Sequence, residues 1–141
     1  MHFYFCSDVT QTGFCTDFCG WHTFRGNYKY AWVGVPPTDC ADCFTQTTSP
    51  NGNAGVDAAI SVIGHELSEA VTDPTGFGWC YSYGQPDCFS SGGVENADQC
   101  AWDFPNSTQL PSGAKYNMAV GGKNYLVQSN WNLNTKTCRM S

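Results

Sequence analysis

The chain has 141 residues, of which 13% are charged and 15% aromatic, with 15 Gly and 7 Pro; this composition excludes a coiled coil, a low-hydrophobicity disordered segment and two large domains. Six basic residues against twelve acidic ones give a net charge of -6, and the basic residues are scattered from Arg25 to Arg139. No phosphate-tracking groove can be built that way, which excludes nucleic acid as a partner.

In chain order, residues 2–6 (HFYFC) and 28–35 (YKYAWVGV) are aromatic and β-branched runs bounded by turn residues, and both are predicted as strands. Between them Gly13, Gly20 and Gly26, with Cys15 and Cys19, predict a stapled loop. Residues 36–54 hold Pro36, Pro37 and Pro50 among Asn, Thr and Ser, and read as a long irregular connection that wraps the core. In residues 55–73, Val56, Ile60, Ile63, Leu67, Ala70 and Val71 recur at three-to-four-residue spacing and Pro74 follows, which predicts a helix with that stripe facing the core. Residues 74–113 predict loops with short strands, and 115–120 and 123–131, separated by Gly121-Gly122, predict a hairpin. Trp21, Trp32, Trp79, Trp102 and Trp131 are spread evenly and are expected in the core. The whole of 1–141 is expected to form one domain. No apolar run approaches the ~20 residues that span a bilayer. The opening MHFYFCSDVTQTGFC lacks the basic and long apolar regions of a signal peptide, so a secreted form would have lost its signal or carry it outside this chain.

Nine cysteines, Cys6, Cys15, Cys19, Cys40, Cys43, Cys80, Cys88, Cys100 and Cys138, point to an oxidising compartment in which bridges offset a small core. The competing possibility is a Cys-zinc protein, since Cys40-Ala-Asp-Cys43 and Cys15-Thr-Asp-Phe-Cys19 are paired-ligand spacings. An odd count leaves at least one cysteine free or bound to another chain or segment. Asn106-Ser107-Thr108 fits the glycosylation sequon, in keeping with secretion.

The chemistry-bearing segment is Gly64-His65-Glu66-Leu67-Ser68-Glu69, inside the predicted helix. His65 and Glu69 stand one turn apart on one face, as the two zinc ligands of an HExxH helix do, with Glu69 in place of the second His. A carboxylate binds zinc readily, and Glu66 would sit beside the ion as a general base. A third ligand is expected from Glu95 or Asp98, one of which could instead orient His65. Asp73, two turns beyond His65, and His22 are further candidates. All three glutamates of the chain, Glu66, Glu69 and Glu95, fall in this proposed site. Calcium is the alternative ion, because Glu69, Asp73, Glu95 and Asp98 form an all-carboxylate set. A solvated polar helix face would have the same pattern, since His65, Glu66, Glu69 and Asp73 span roughly 100° of arc opposite the apolar stripe. In that plainer view Glu95 and Asp98 cap a turn, and His22 is a packed histidine beside Trp21.

Together FCTDFCGWHT at 14–23, KYAWVGVP at 29–36, the CADC pair, PNGNAGVDAAISVIGHELSEAVTDP at 50–74, ENADQCAW at 95–102 and NYLVQSNWN with the final cysteine at 124–138 resemble the EXORDIUM, or phosphate-induced protein, family of secreted cell-wall proteins. HFYFCSDV at 2–9 resembles a strand inside the family domain, so the family's N-terminal portion is expected to be absent here or divergent. The resemblance implies secretion, disulfides and a matrix setting, and names no reaction. Plant members replace the helix His and Glu with non-ligating residues, whereas others carry a HELxEAxTDP-like helix as here. The expected fold is α+β: a central helix, 55–73, packed on a small mixed or antiparallel sheet with long disulfide-stapled loops, like a reduced zincin core. The expected function is a secreted matrix or cell-wall domain, structural or signalling, that carries a zincin-like metal site. The alternatives are a zinc metallopeptidase or other hydrolase using Glu66, and a subunit of an extracellular filament. Its partners would be a wall or matrix polymer or copies of itself.

Overall fold

The computed structural model describes residues 9, 11–76, 78–79 and 95–140, together with the backbone of residues 2–6. Strands β1 (His2–Cys6), β2 (Gly20–Arg25) and β3 (Tyr28–Gly34) form a sheet in the order β1-β3-β2. It is mixed: β1 runs parallel to β3, with Phe3 opposite Ala31, and β2 runs antiparallel, with Trp21 opposite Trp32. Helix α1 (Ala54–Thr72) packs on β2 and β3. The fold is thus α+β, as expected, and no helix among the described residues is long and apolar enough to cross a membrane.

The ends of α1 follow from local chemistry. Asn53 is the N-cap, its side chain accepting from the Val56 amide at 3.1 Å, and Asp73 is the C-cap just before Pro74. Asn51 ties this end to the C-terminal half: its side chain donates to Asp57 at 2.7 Å and to the Asn124 carbonyl at 2.6 Å. At 121–122 both glycines have positive φ, +58° and +74°, as a two-residue turn between β6 (Met118–Val120) and β7 (Lys123–Tyr125) requires.

Several expectations are corrected. Residues 20–25 are strand β2, not loop: Gly26 permits the turn that lays GWHTFR against β3, and the surrounding Gly and Cys punctuation hid the strand. Cys15 and Cys19 do not staple their own loop but cross to the second cysteine pair, as Cys15–Cys40 and Cys19–Cys43, which removes them from the Cys-zinc alternative. A third bridge joins Cys100 to Cys138. The side chain of Cys6, together with Cys80 and Cys88, lies outside the described residues. The hairpin arm predicted over 123–131 ends at Tyr125; β8 (Asn130–Asn132) instead pairs with β9 (Thr137–Arg139), while β5 (Lys115–Tyr116) pairs with β4 (Thr108–Gln109). Nor are the tryptophans a buried set: Trp21, Trp32, Trp79 and Trp131 are half-buried and Trp102 is exposed.

The largest correction concerns the rotation of α1. Val56, Leu67 and Val71 are 43%, 42% and 71% exposed, whereas Asp57, Glu66 and Glu69 are each 3% exposed. The helix buries small residues, Ala58, Ala59, Ser61 and Ala70, beside its acids; of the expected apolar stripe Ala70 is buried, Ile60 and Ile63 are half-buried, and Val56, Leu67 and Val71 are exposed. Small side chains let the helix axis come close to the sheet, and at the contact point β2 starts with a glycine. A Cβ at Gly20 would lie 2.7 Å from Val62 Cγ1 and 2.9 Å from Glu66 Oε1. Gly20→Ala should therefore destabilise the domain by about 1–3 kcal/mol through overpacking. Urea unfolding checks this; an unchanged midpoint would show that the helix-sheet gap tolerates a methyl group.

Candidate metal centre

Three elements deliver the site. β2 presents His22, α1 presents His65, Glu66 and Glu69 from its buried side, and residues 95–98 bring Glu95 and Asp98. That segment is held in place by polar contacts on both flanks. Ser68 donates to Asn96 Oδ1 at 3.0 Å, Asn96 donates to the Trp131 carbonyl at 3.0 Å, and Cys100 is bridged to Cys138.

Glu69 is central. Its Oε1 lies 3.1 Å from His65 Nε2 and accepts from the Asp98 amide at 3.1 Å, while its Oε2 lies 3.5 Å from His22 Nδ1. Asp98 Oδ1 approaches His65 Nε2 at 3.2 Å. His22 Nδ1 also meets Glu66 Oε2 at 3.3 Å, and its Nε2 stands 3.5 Å from Glu95 Oε1. Two sets of ligand atoms are close enough to share an ion: His65, Glu66 and Glu69, and His22, Glu69 and Glu95.

His22, His65, Glu66, Glu69, Glu95 and Asp98 thus meet with their side chains. The Asp73 carboxylate accepts from the Gly78 amide at 2.8 Å and the Trp79 amide at 3.2 Å, and it is the Asp73 carbonyl that lies 3.4 Å from His22 Nε2. The solvated polar face is excluded by the burial of Glu66 and Glu69. Glu95 and Asp98 face the two histidines, and His22 is a packed, hydrogen-bonded histidine whose partners are the carboxylates of this cluster.

Sequence reasoning missed Gln128. Its Oε1 and Nε2 lie 3.4 and 3.2 Å from His65 Nδ1, its Oε1 accepts from the Trp102 amide at 3.2 Å, and its Nε2 donates to the Ala97 carbonyl at 2.8 Å. Gln128 thus holds the ring with Nε2 toward Glu69 and Asp98, the edge from which a ligating imidazole would act. The only available sequence signal was a polar residue interrupting the apolar run YLVQ. A cleft of about 290 Å³ opens onto the site, with His65, Glu66 and Asp98 in its wall, Phe18 and Gly20 on the sheet side and Trp102 beside it. Asn106, the sequon residue, is exposed.

The donor chemistry fits a divalent transition ion. For bonds of about 2.0–2.1 Å, tetrahedral ligand atoms stand about 3.3 Å apart, and the contacts around His65 Nε2 are 3.1 and 3.2 Å. Glu95 Oε1 is buried without a hydrogen-bond partner among the described residues.

Fold and site together define a disulfide-bridged α+β domain that buries a histidine-carboxylate cluster beside an open cleft. The chain belongs to the family described as the phosphate-induced protein 1 conserved region, which matches residues 3–141. It is 33% identical to Protein EXORDIUM-like 5 of Arabidopsis thaliana, over 93% of this chain and 43% of that protein. It is 34% identical to Protein EXORDIUM-like 3 of the same plant, over 88% of the chain and 44% of the relative. To Protein PHOSPHATE-INDUCED 1 of Nicotiana tabacum it is 30% identical, over 94% and 51% respectively. The chain thus spans about half the length of these curated relatives or less. No solved structure matches it.

The electrostatics of the metal-free cluster follow from its contacts. Pairing with the carboxylates of Glu66, then Glu69 and Glu95, holds the His22 pKa up at about 12. For His65, burial pushes the value down, but Asp98 and Glu69 outweigh it and the result is about 11. Burial likewise opposes ionisation of Glu69, yet the two imidazoles bring it to about 2. Burial raises Glu66 and Glu95. Raised histidines bind protons in the folded state that the unfolded chain releases above about pH 6.5, so their stabilisation is complete below that pH and is lost toward their folded values. Glu69 adds stability above its ordinary range and loses it as pH falls toward about 2. The raised Glu66 and Glu95 also favour folding at lower pH. In chelator, the domain should therefore be less stable at about pH 9 than at about pH 6 by urea unfolding, with a weaker dependence in His22→Gln and His65→Gln. Stability that is flat or rises over that range would refute the protonated-imidazole pairing.

Proposed function

We propose that this domain acts in the extracellular matrix or cell wall as a zinc-binding domain with a hydrolytic site of zincin-like layout. His65, Glu69 and Asp98 hold the ion, and Glu66 is the general base. The observation that carries this reading is the burial of the acidic helix side against an open cleft: His65, Glu66 and Asp98 reach the same cavity wall while Glu69 lies behind them. Secretion is supported by the three bridges and by the family. The imidazole favours zinc over calcium, whose preferred ligands are all oxygen.

When bound, zinc would polarise a substrate carbonyl as a Lewis acid. The chain's own contributions are distinct. Gln128 fixes the His65 ring, and the Asp98 amide holds the Glu69 carboxylate in register. Burial lifts the Glu66 pKa, which makes it a stronger base than an exposed glutamate. In the cleft it takes a proton from the attacking water and returns it to the leaving group. Trp102 stands at the cleft with its ring exposed, available to a substrate.

A structural role in the matrix, including assembly into filaments, is the second reading. It is favoured by the outward apolar side of α1, where Val56, Leu67 and Val71 are exposed. The two readings separate experimentally. His65→Ala should remove a zinc ion measured by elemental analysis after dialysis, whereas Glu66→Gln should keep the zinc and lose roughly 10²–10⁴-fold of hydrolysis of casein or a peptide library. A wild-type protein that binds no zinc would overturn the metal reading. Zinc binding without hydrolysis, or full activity in Glu66→Gln, would overturn the catalytic one.

A further inference from the structure

We infer that the site is built for two ions: Glu69 bridges the zinc on His65 to a second divalent transition ion held by His22 and Glu95. This rests on the metal-binding reading above and extends it.

The geometry of Glu69 is the first observation. Its two oxygens face two different imidazoles, Oε1 toward His65 Nε2 at 3.1 Å and Oε2 toward His22 Nδ1 at 3.5 Å. A carboxylate serving a single ion would not need an imidazole on each side. His22, Glu69 and Glu95 form a second group of ligand atoms that shares only Glu69 with the first.

The number of donors is the second. Glu66, Glu69, Glu95 and Asp98 converge on two histidines, and among the described residues their ion-pair partners are those imidazoles. These six side chains are enough for two ligand groups, one around His65 and one around His22, with Glu69 common to both.

The third is the buried Glu95 Oε1, which lacks a hydrogen-bond partner among the described residues although it lies 3.5 Å from His22 Nε2. An acceptor left in this way costs free energy unless something else meets it, and an ion beside His22 would.

Zinc titration of the full chain stripped by chelator tests this, read by native mass spectrometry and elemental analysis. Two zinc ions per chain are expected in the wild type and one each in His22→Ala and Glu95→Gln. Far-ultraviolet circular dichroism establishes that the variants are folded, and Glu95→Gln, with its more exposed side chain, provides the second case if His22→Ala does not fold. One zinc in the wild type, lost in His65→Ala and kept in His22→Ala, would overturn the two-ion site and leave the single-ion reading standing. Two ions that persist in both His22→Ala and Glu95→Gln would overturn the ligand assignment. No zinc at all would overturn both readings.

Discussion

The Glu69 carboxylate is 3% exposed and touches two imidazoles and a backbone amide that come from three parts of the chain. An ionised group so placed is tolerable only when its partners are fixed, because stripping one partner from a buried pair costs about 3–5 kcal/mol. The demand passes outward from there. β2 must lie close enough to offer His22, which needs Gly20 at the contact and small residues such as Ala58 and Ala59 along the helix. The 95–100 segment must offer the Asp98 amide, which needs Asn96 bonded to Ser68 and Trp131 and the bridge from Cys100 to Cys138. The arrangement of the site and the packing of the domain are in this sense the same problem.

This dependence explains which parts of the fold could be read from the chain. The span of α1, the strands β1 and β3 and the Gly121-Gly122 turn are set by local chemistry: periodicity, a capping asparagine, Pro74, two consecutive glycines. The rotation of α1 is not. A hydrophobic stripe normally faces the core, yet here three of its members, Val56, Leu67 and Val71, are exposed while an acidic side is buried whose partner, His22, lies 44 positions from Glu66. Nothing within the helix announces that partner. Gln128, which lies 63 positions from His65, was invisible for the same reason. The candidate ligands themselves were legible because the HExxE spacing is local and the glutamates are few. What brings them together is tertiary.

The cysteines extend the same logic. Among the described residues the buried hydrophobic side chains are largely small, with Val33, Leu126 and Val127 among the larger ones. Bridges Cys15–Cys40 and Cys19–Cys43 secure the loop next to Gly20, and Cys100–Cys138 secures the segment that carries Asp98. By restricting the unfolded chain, cross-links supply stability that makes no demand on core composition. The bridges therefore stand on either side of the site, where electrostatic cost is highest.

Protons and metal ions are then competing occupants of one cluster. Protonated His22 and His65 hold the carboxylates in the metal-free domain, and a ligating imidazole must first give that proton up. Every feature that raises the histidine pKa values therefore opposes metal at low pH, while the same carboxylates strengthen the site once the protons leave. Burial of Glu66 and Glu95 works in the same direction, since their raised pKa values let them carry protons where exposed glutamates would be ionised. Metal uptake by such a cluster releases protons and becomes more favourable as pH rises. With His22 held at about 12 and His65 at about 11, the proton-mediated pairing persists through neutral pH, and any metal ion would have to displace those protons.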